Sequence, residues 1–169
     1  MHRLHALVFF FAAAIPSAPG VPNFHQVNDA LYRGGQPTAE GFRSLKNLGV
    51  QTIMDLRIPA GQSKWEKRVV EQLGMKYIHI PLHGHETPTQ TDVDQVFNYL
   101  NDASHWPVFV HCREGKDRTG MVVGCYRIAH DGWTNQRALA EAKSYASREL
   151  TRAMEQFILN FHPPGAAAK

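Results

Sequence analysis

Apolar and polar positions recur along this chain with two periods, and each switch between them marks an element. Phe24-His-Gln-Val27, a turn at Asn28-Asp29 and Ala30-Leu-Tyr-Arg33 predict a β-hairpin, broken by Gly34-Gly35-Gln-Pro37. Thr38 is placed to cap a helix running to about Leu48, with Phe42, Leu45 and Leu48 inward and Gly49 ending it. Val50 to Leu56 reads as a strand, Ser63 to Leu73 as a helix stopped by Gly74, and Lys76 to Ile80 as another strand. Thr89 can cap a further helix, with Asp92 as its capping-box partner and Val93, Val96, Phe97 and Leu100 as its apolar stripe.

Val108, Phe109 and Val110 form a short apolar run, the pattern of a strand buried on both faces. From Thr119 the period becomes helical, with Met121, Val122, Cys125, Ile128 and Ala129 at three- and four-residue steps up to Gly132. Two more helices are predicted, over about 134–145 and 147–161. The second carries Leu150, Met154, Phe157, Ile158 and Phe161 on one face, and Pro163-Pro164 stops it. Strands alternating with helices imply an α/β fold, with a mostly parallel central sheet of about four to five strands flanked by helices.

The segment from Pro107 to Gly120 therefore reads strand, tight loop, helix. Cys112 opens the loop and Arg118 closes it, five residues later. That order suits a phosphate dianion. A short loop entering a helix aims several backbone N–H groups at one point, and the helix N-terminus adds partial positive charge. Arg118 can hold two phosphate oxygens at once. The same donors favour a thiolate at Cys112, which makes it a nucleophile at neutral pH. Gly115 sits mid-loop, where a positive φ is needed, and Thr119 offers a hydroxyl near the sulfur.

The 169 residues are 43% hydrophobic and 20% charged, consistent with one globular domain. The net charge of +3 fits an anionic substrate. No basic stripe with interleaved aromatics indicates a nucleic-acid partner. Two cysteines do not make a disulfide framework, and Cys125 falls about two turns into the predicted helix as a small core residue.

Arg3, the apolar run from Ala6 to Ile15 and the small residues Ala18 and Gly20 have the layout of a secretory signal peptide. The expected organisation is a leader over 1–20, a catalytic domain over 21–162 and a disordered tail over 163–169. This places the mature protein outside the cytoplasm, periplasmic or secreted, with no membrane span after cleavage. His79, His83 and His85 alternate, but no nearby Cys or Asp completes a metal site. Substrate contact by His83 or His85 is the better expectation.

His111-Cys112-x-x-Gly115-x-x-Arg118-Thr119-Gly120 resembles the signature of the cysteine-dependent protein tyrosine and dual-specificity phosphatases. The fuller Gly115-Lys116-Asp117-Arg118-Thr119-Gly120 resembles a bacterial branch with tyrosine and phosphoinositide phosphatase activity. Leu31-Tyr-Arg-Gly-Gly-Gln-Pro-Thr38 resembles the N-terminal part of small bacterial members. The resemblance implies the cysteine-phosphatase fold and a phosphocysteine on Cys112, with Arg118 clamping the phosphoryl group and no metal or other cofactor. Arg113, Glu114, Gly115, Lys116 and Thr119 would line the substrate loop.

The resembled families usually carry their acid catalyst, an aspartate, on a loop upstream of the signature. Here the corresponding loop, Pro81 to Pro88, has only Glu86. The Gly-Lys-Asp-Arg branch uses the aspartate next to the arginine, which makes Asp117 the first candidate and Glu86 the alternative. Phosphoprotein and inositol phosphate substrates both fit, with Arg113 and Lys116 available for additional phosphates. A silent phosphate-binding module and thiol chemistry on sulfur or arsenate are the rival readings. Oligomeric state is open.

Overall fold

The computed structural model describes residues 16–58, 61–83, 86, 88–146 and 150–163. The apolar run of the expected leader, His85 and nearly all of the expected tail lie outside them. Five strands form one sheet: β1 (His25–Asn28), β2 (Leu31–Gly34), β3 (Thr52–Asp55), β4 (Lys76–His79) and β5 (Val108–His111), in the order β1-β2-β5-β3-β4. Only the β1–β2 hairpin is antiparallel; β2, β3 and β4 join through parallel pairings, with β5 central. Among the described residues, six α-helices follow the predicted order: α1 (Ala39–Asn47), α2 (Gly61–Gln72), α3 (Gln90–Leu100), α4 (Asp117–Asp131), α5 (Asn135–Ser144) and α6 (Arg152–Asn160).

Strand parity divides the core in two. Leu31, Met54, Val108 and Val110 face α3, α4, α5 and α6, while Tyr32, Ile53 and Phe109 face α1 and α2. All four β5 residues are buried, as its unbroken apolar run requires. Burying such side chains supplies about 25 cal/mol per Å² of apolar surface, which is what holds both helical layers on the sheet.

Local signals act as the sequence predicts at several ends. Thr38 caps α1 through Gly41 N–H, and Thr89 and Asp92 form the reciprocal capping box of α3. Gly132 ends α4 at φ +65°. Two boundaries differ. The last helix starts at Arg152 with Thr151 as its cap, so Leu150 packs into the core from outside it. The signature helix starts at Asp117, so Asp117 and Arg118 belong to its first turn.

The segment before β1 is part of the packed domain. Ala18 and Val21 are buried, Ser44 Oγ donates to the Pro19 carbonyl at 2.9 Å, and Thr38 N–H donates to the Gly20 carbonyl at 2.9 Å. Gly35 N–H donates to the Pro22 carbonyl at 2.7 Å.

Candidate active site

The loop of residues 112–116 leaves the C-terminal end of the central strand, the edge at which open α/β sheets bind ligands. Cys112 is buried, at 3% exposure. Burial pushes its thiol up. The Thr119 hydroxyl and N–H, the Arg118 charge and the Gly115 N–H outweigh burial and hold the thiol below its ordinary value. The buried Thr119 Oγ1 has no conventional hydrogen-bond partner, so the sulfur is the group its proton can satisfy. Cys125, buried in α4, is pushed well up by burial, which a backbone hydrogen bond offsets only in part. The site therefore distinguishes a reactive thiol from an inert one by the donors around it.

Gly115 carries the conformation that the loop needs, at φ +73°. A Cβ there would collide with the backbone of Gly34 and Gly35. The loop thus rests directly on the end of β2, and Gln36 N–H donates to the Arg113 carbonyl at 3.1 Å. Arg118 Nη1 reaches the Leu56 and Leu82 carbonyls at 3.5 and 3.4 Å. This places its guanidinium between the ends of β3 and β4. On one side is a cavity of about 210 Å³ lined in part by Leu82, His83, Glu86 and Met121. On the other is a more open pocket of about 330 Å³ lined by Gln36, Arg57, Ile58, Gln62, Ser63 and Arg113.

The predicted site residues are brought together unevenly. Cys112, Gly115, Arg118 and Thr119 form one unit. Arg113 and Glu114 are exposed on the outer side of the loop, and Lys116 Nζ pairs with Glu114 at 3.1 Å. Asp117 is half-buried and has no hydrogen-bond or ion-pair partner among the described residues. Glu86 lines the smaller cavity and pairs with His83 Nδ1 at 3.2 Å.

Sequence reasoning missed what lies beneath the loop. Arg57, just after β3, is buried, holds Asp55 through two side-chain bonds of 2.8 and 2.6 Å, and pairs with Glu66. Glu66 in turn holds His111 Nε2 at 2.7 Å, and His111 Nδ1 lies 3.1 Å from the Cys112 carbonyl. A ladder of buried charge therefore runs from β3 and α2 to the Cys112 peptide. The signal was present: Ser63, Glu66 and Val70 share the buried stripe of α2 at helical spacing. Asp55, Glu66 and His111 offer ligand atoms within 4.8 Å of one another, but Arg57 already bridges both carboxylates with its own charge. His79 is spent on the Arg57 carbonyl at 2.7 Å.

Comparison with known proteins follows the same lines. The family described as DSP-PTPase phosphatase fused to NAD+ kinase matches residues 16–160. Inositol diphosphatase DSP3 of Arabidopsis thaliana is 31% identical over 143 residues, 82% of this chain and 70% of that one. The probable tyrosine-protein phosphatase DG1060 of Dictyostelium discoideum is 30% identical, over 80% of this chain and 83% of that one. The core catalytic domain of the PP-IP phosphatase Siw14 from S. cerevisiae shares the fold, with a TM-score of 0.76 and 22% identity across 86% of this chain and 89% of that one. Sequence match, sheet order and thiol loop agree: the chain belongs to the DSP-PTPase phosphatase family and is a cysteine-dependent phosphatase.

Proposed function

We propose that this phosphatase hydrolyses phosphomonoesters in two steps through Cys112. The thiolate attacks phosphorus, forming the S–P bond as the P–O bond to the leaving group breaks. Asp117 supplies the proton that the leaving oxygen takes. Water then attacks the phosphocysteine, returning a proton to Asp117 as the S–P bond breaks and releases inorganic phosphate and the thiolate. The loop N–H groups and Arg118 carry the charge of the equatorial oxygens in both steps. The observation that carries this reading is the donor set on the Cys112 sulfur, since a buried thiol without it would be pushed up as Cys125 is. Cys112→Ser should lose turnover while still binding inorganic phosphate, and Arg118→Ala should lose both. Hydrolysis retained by Cys112→Ser overturns the mechanism.

A second substrate reading rests on Arg113. It is exposed and lines the wider pocket beside Arg118, where a further phosphate on the same molecule would meet it. The relatives named inositol diphosphatase support that class, and those named tyrosine phosphatase support phosphoprotein. A panel of phosphotyrosine peptide, phosphoserine peptide and inositol polyphosphates separates them, with Arg113→Ala and Lys116→Ala expected to weaken the inositol substrates selectively. Export through the N-terminal leader belongs to the same proposal and is supported by the apolar run and the small residues that follow it.

A further inference from the structure

Arg33 is the largest buried polar side chain of the molecule's described residues, at 1% exposure, and nothing in the mechanism above uses it. It lies on β2 opposite Val110, on the same sheet face as Leu31. Among the described residues no carboxylate lies within hydrogen-bond distance of it. Its Nη2 donates to the Gly115 carbonyl at 2.6 Å, its guanidinium stacks at 4.0 Å on the Tyr145 ring, and its Nε and Nη1 have no hydrogen-bond partner among those residues. A buried, half-satisfied cation is expensive, because each unsatisfied donor has given up its water for nothing. Burial accordingly lowers its pKa to about 10. A feature this costly in a small domain points to something it does for the site.

The Gly115 carbonyl accepts a second side-chain donor, Asn23 Nδ2 at 3.0 Å, and the Arg113 carbonyl is held by Gln36 N–H. So carbonyls on the loop are pulled backward by the segment from Asn23 to Gln36. A peptide whose C=O is fixed on one side presents the next N–H on the other. The Gly115 carbonyl shares its peptide with Lys116 N–H, and Gly115 is the left-handed residue where the loop turns. Arg33 also places a positive charge behind the loop, and the Cys112 sulfur is among the groups whose charge favours its ionised form.

We infer that Arg33 is a positioning residue for the phosphatase reaction: it anchors the Gly115 peptide from behind so that the loop N–H groups face the phosphate, and it supports the Cys112 thiolate across the loop. It touches neither substrate nor phosphorus. The inference rests on the loop's being the phosphate site.

Two variants separate the anchor from the charge. Arg33→Met keeps the length and removes both; Arg33→Lys keeps the charge and removes the fork that reaches Gly115. The first readout is the pH dependence of Cys112 alkylation by iodoacetamide, which needs no turnover. The second is inorganic phosphate binding by calorimetry, and the third is thermal unfolding. For Arg33→Met the alkylation midpoint should rise by about one pH unit, a tenfold fall in thiolate below the midpoint. Phosphate binding should weaken at least about tenfold. Arg33→Lys should keep the midpoint and still bind phosphate more weakly.

Asn23→Ala, which removes the lesser donor, should weaken phosphate binding while leaving the midpoint in place; it decides the anchoring claim if Arg33→Met does not fold. A folded Arg33→Met with unchanged midpoint and phosphate affinity overturns the inference, as does an Asn23→Ala and Arg33→Lys pair that binds phosphate normally. Failure of the covalent mechanism would show separately, as turnover by Cys112→Ser.

Discussion

His111 Nε2 and Glu66 Oε1 lie 2.7 Å apart, both side chains fully buried, and 45 residues separate them in sequence. Strand parity puts them together: His111 shares the Phe109 face of β5, and Glu66 is on the buried stripe of α2, which packs on that face. Burial pushes His111 down, but the bond to Glu66 and the charges of Glu66 and Asp55 outweigh it and hold the imidazole above its ordinary 6.5. A group raised on folding stabilises fully below its unfolded value and loses that contribution as pH rises through the folded one. The wild type's stability to urea should therefore fall as pH rises beyond 6.5. Glu66→Gln leaves Arg57 and His111 short of a counter-charge and should cost about 3–5 kcal/mol. It should also flatten that alkaline dependence. A wild-type alkaline limb that survives unchanged in Glu66→Gln would assign it to other groups.

Asp55 gives the opposite limb. Burial raises its carboxyl, while the Arg57 hydrogen bonds and the His111 and Arg57 charges bring it down to about 2 from 3.8. A depressed carboxyl stabilises above its unfolded value, and its contribution is lost as pH falls through the folded one. Stability should decline between 3.8 and about 2, and Asp55→Asn should remove most of that decline. An identical acid transition in Asp55→Asn counts against the ladder.

Gly115 and Gly132 share a left-handed φ, at +73° and +65°, but only Gly115 has other backbone where a Cβ would go. Gly132→Ala should cost only the left-handed strain, about 1–2 kcal/mol. Gly115→Ala must also push the loop off β2, so it should abolish phosphate binding as well as lower the melting temperature. Calorimetry with inorganic phosphate on both variants makes the comparison. Phosphate binding by Gly115→Ala equal to wild type would show that the loop does not depend on resting against Gly34 and Gly35.

The thiol loop, the helix caps and the sheet were legible because each rests on local chemistry. A capping box needs residues three apart, and the signature holds its nucleophile, donors and arginine within one turn of chain. The ladder under the loop was not legible, because its members come from β3, α2 and β5 and meet only through the parallel register that pairs Asp55 with His111. Arg57 shows the difference. Its position at the end of β3 could be read, but whether it faced water or Glu66 depended on how α2 lay across the sheet. Arg33 carried a fainter mark: two residues after Leu31 in a strand, it falls on the same face as Leu31, and a charge there asks for a reason.

The N-terminal boundary gives a separate test. The layout of small residues places a cut near Gly20, yet Ala18 is buried and the Pro19 and Gly20 carbonyls hold Ser44 and Thr38. A chain beginning at Val21 loses those contacts and should be less stable than one beginning at Pro16, by about 1–3 kcal/mol. On exported material, N-terminal sequencing should accordingly find the cut upstream of Ala18. Equal unfolding midpoints for the two chains would remove the structural objection to cleavage at Gly20.

The acid catalyst remains the sharpest choice between two residues. Glu86 faces the cavity beside Arg118, but its side chain is 72% exposed and is tied to His83. Asp117 sits in the first turn of α4, half-buried, unpartnered among the described residues and adjacent to Arg118, on an element that the core holds rigid. A proton donor fixed relative to the nucleophile needs no loop movement to reach the leaving oxygen. General acid catalysis contributes about 10²–10⁴-fold, and most where the leaving group is a poor one. Asp117→Asn should therefore slow an alkyl phosphate by at least about 10²-fold and an activated aryl phosphate far less. Glu86→Gln should leave both rates close to those of the wild type. The reverse pattern, with Glu86→Gln selective for poor leaving groups and Asp117→Asn indifferent to them, would move the acid to the loop after β4.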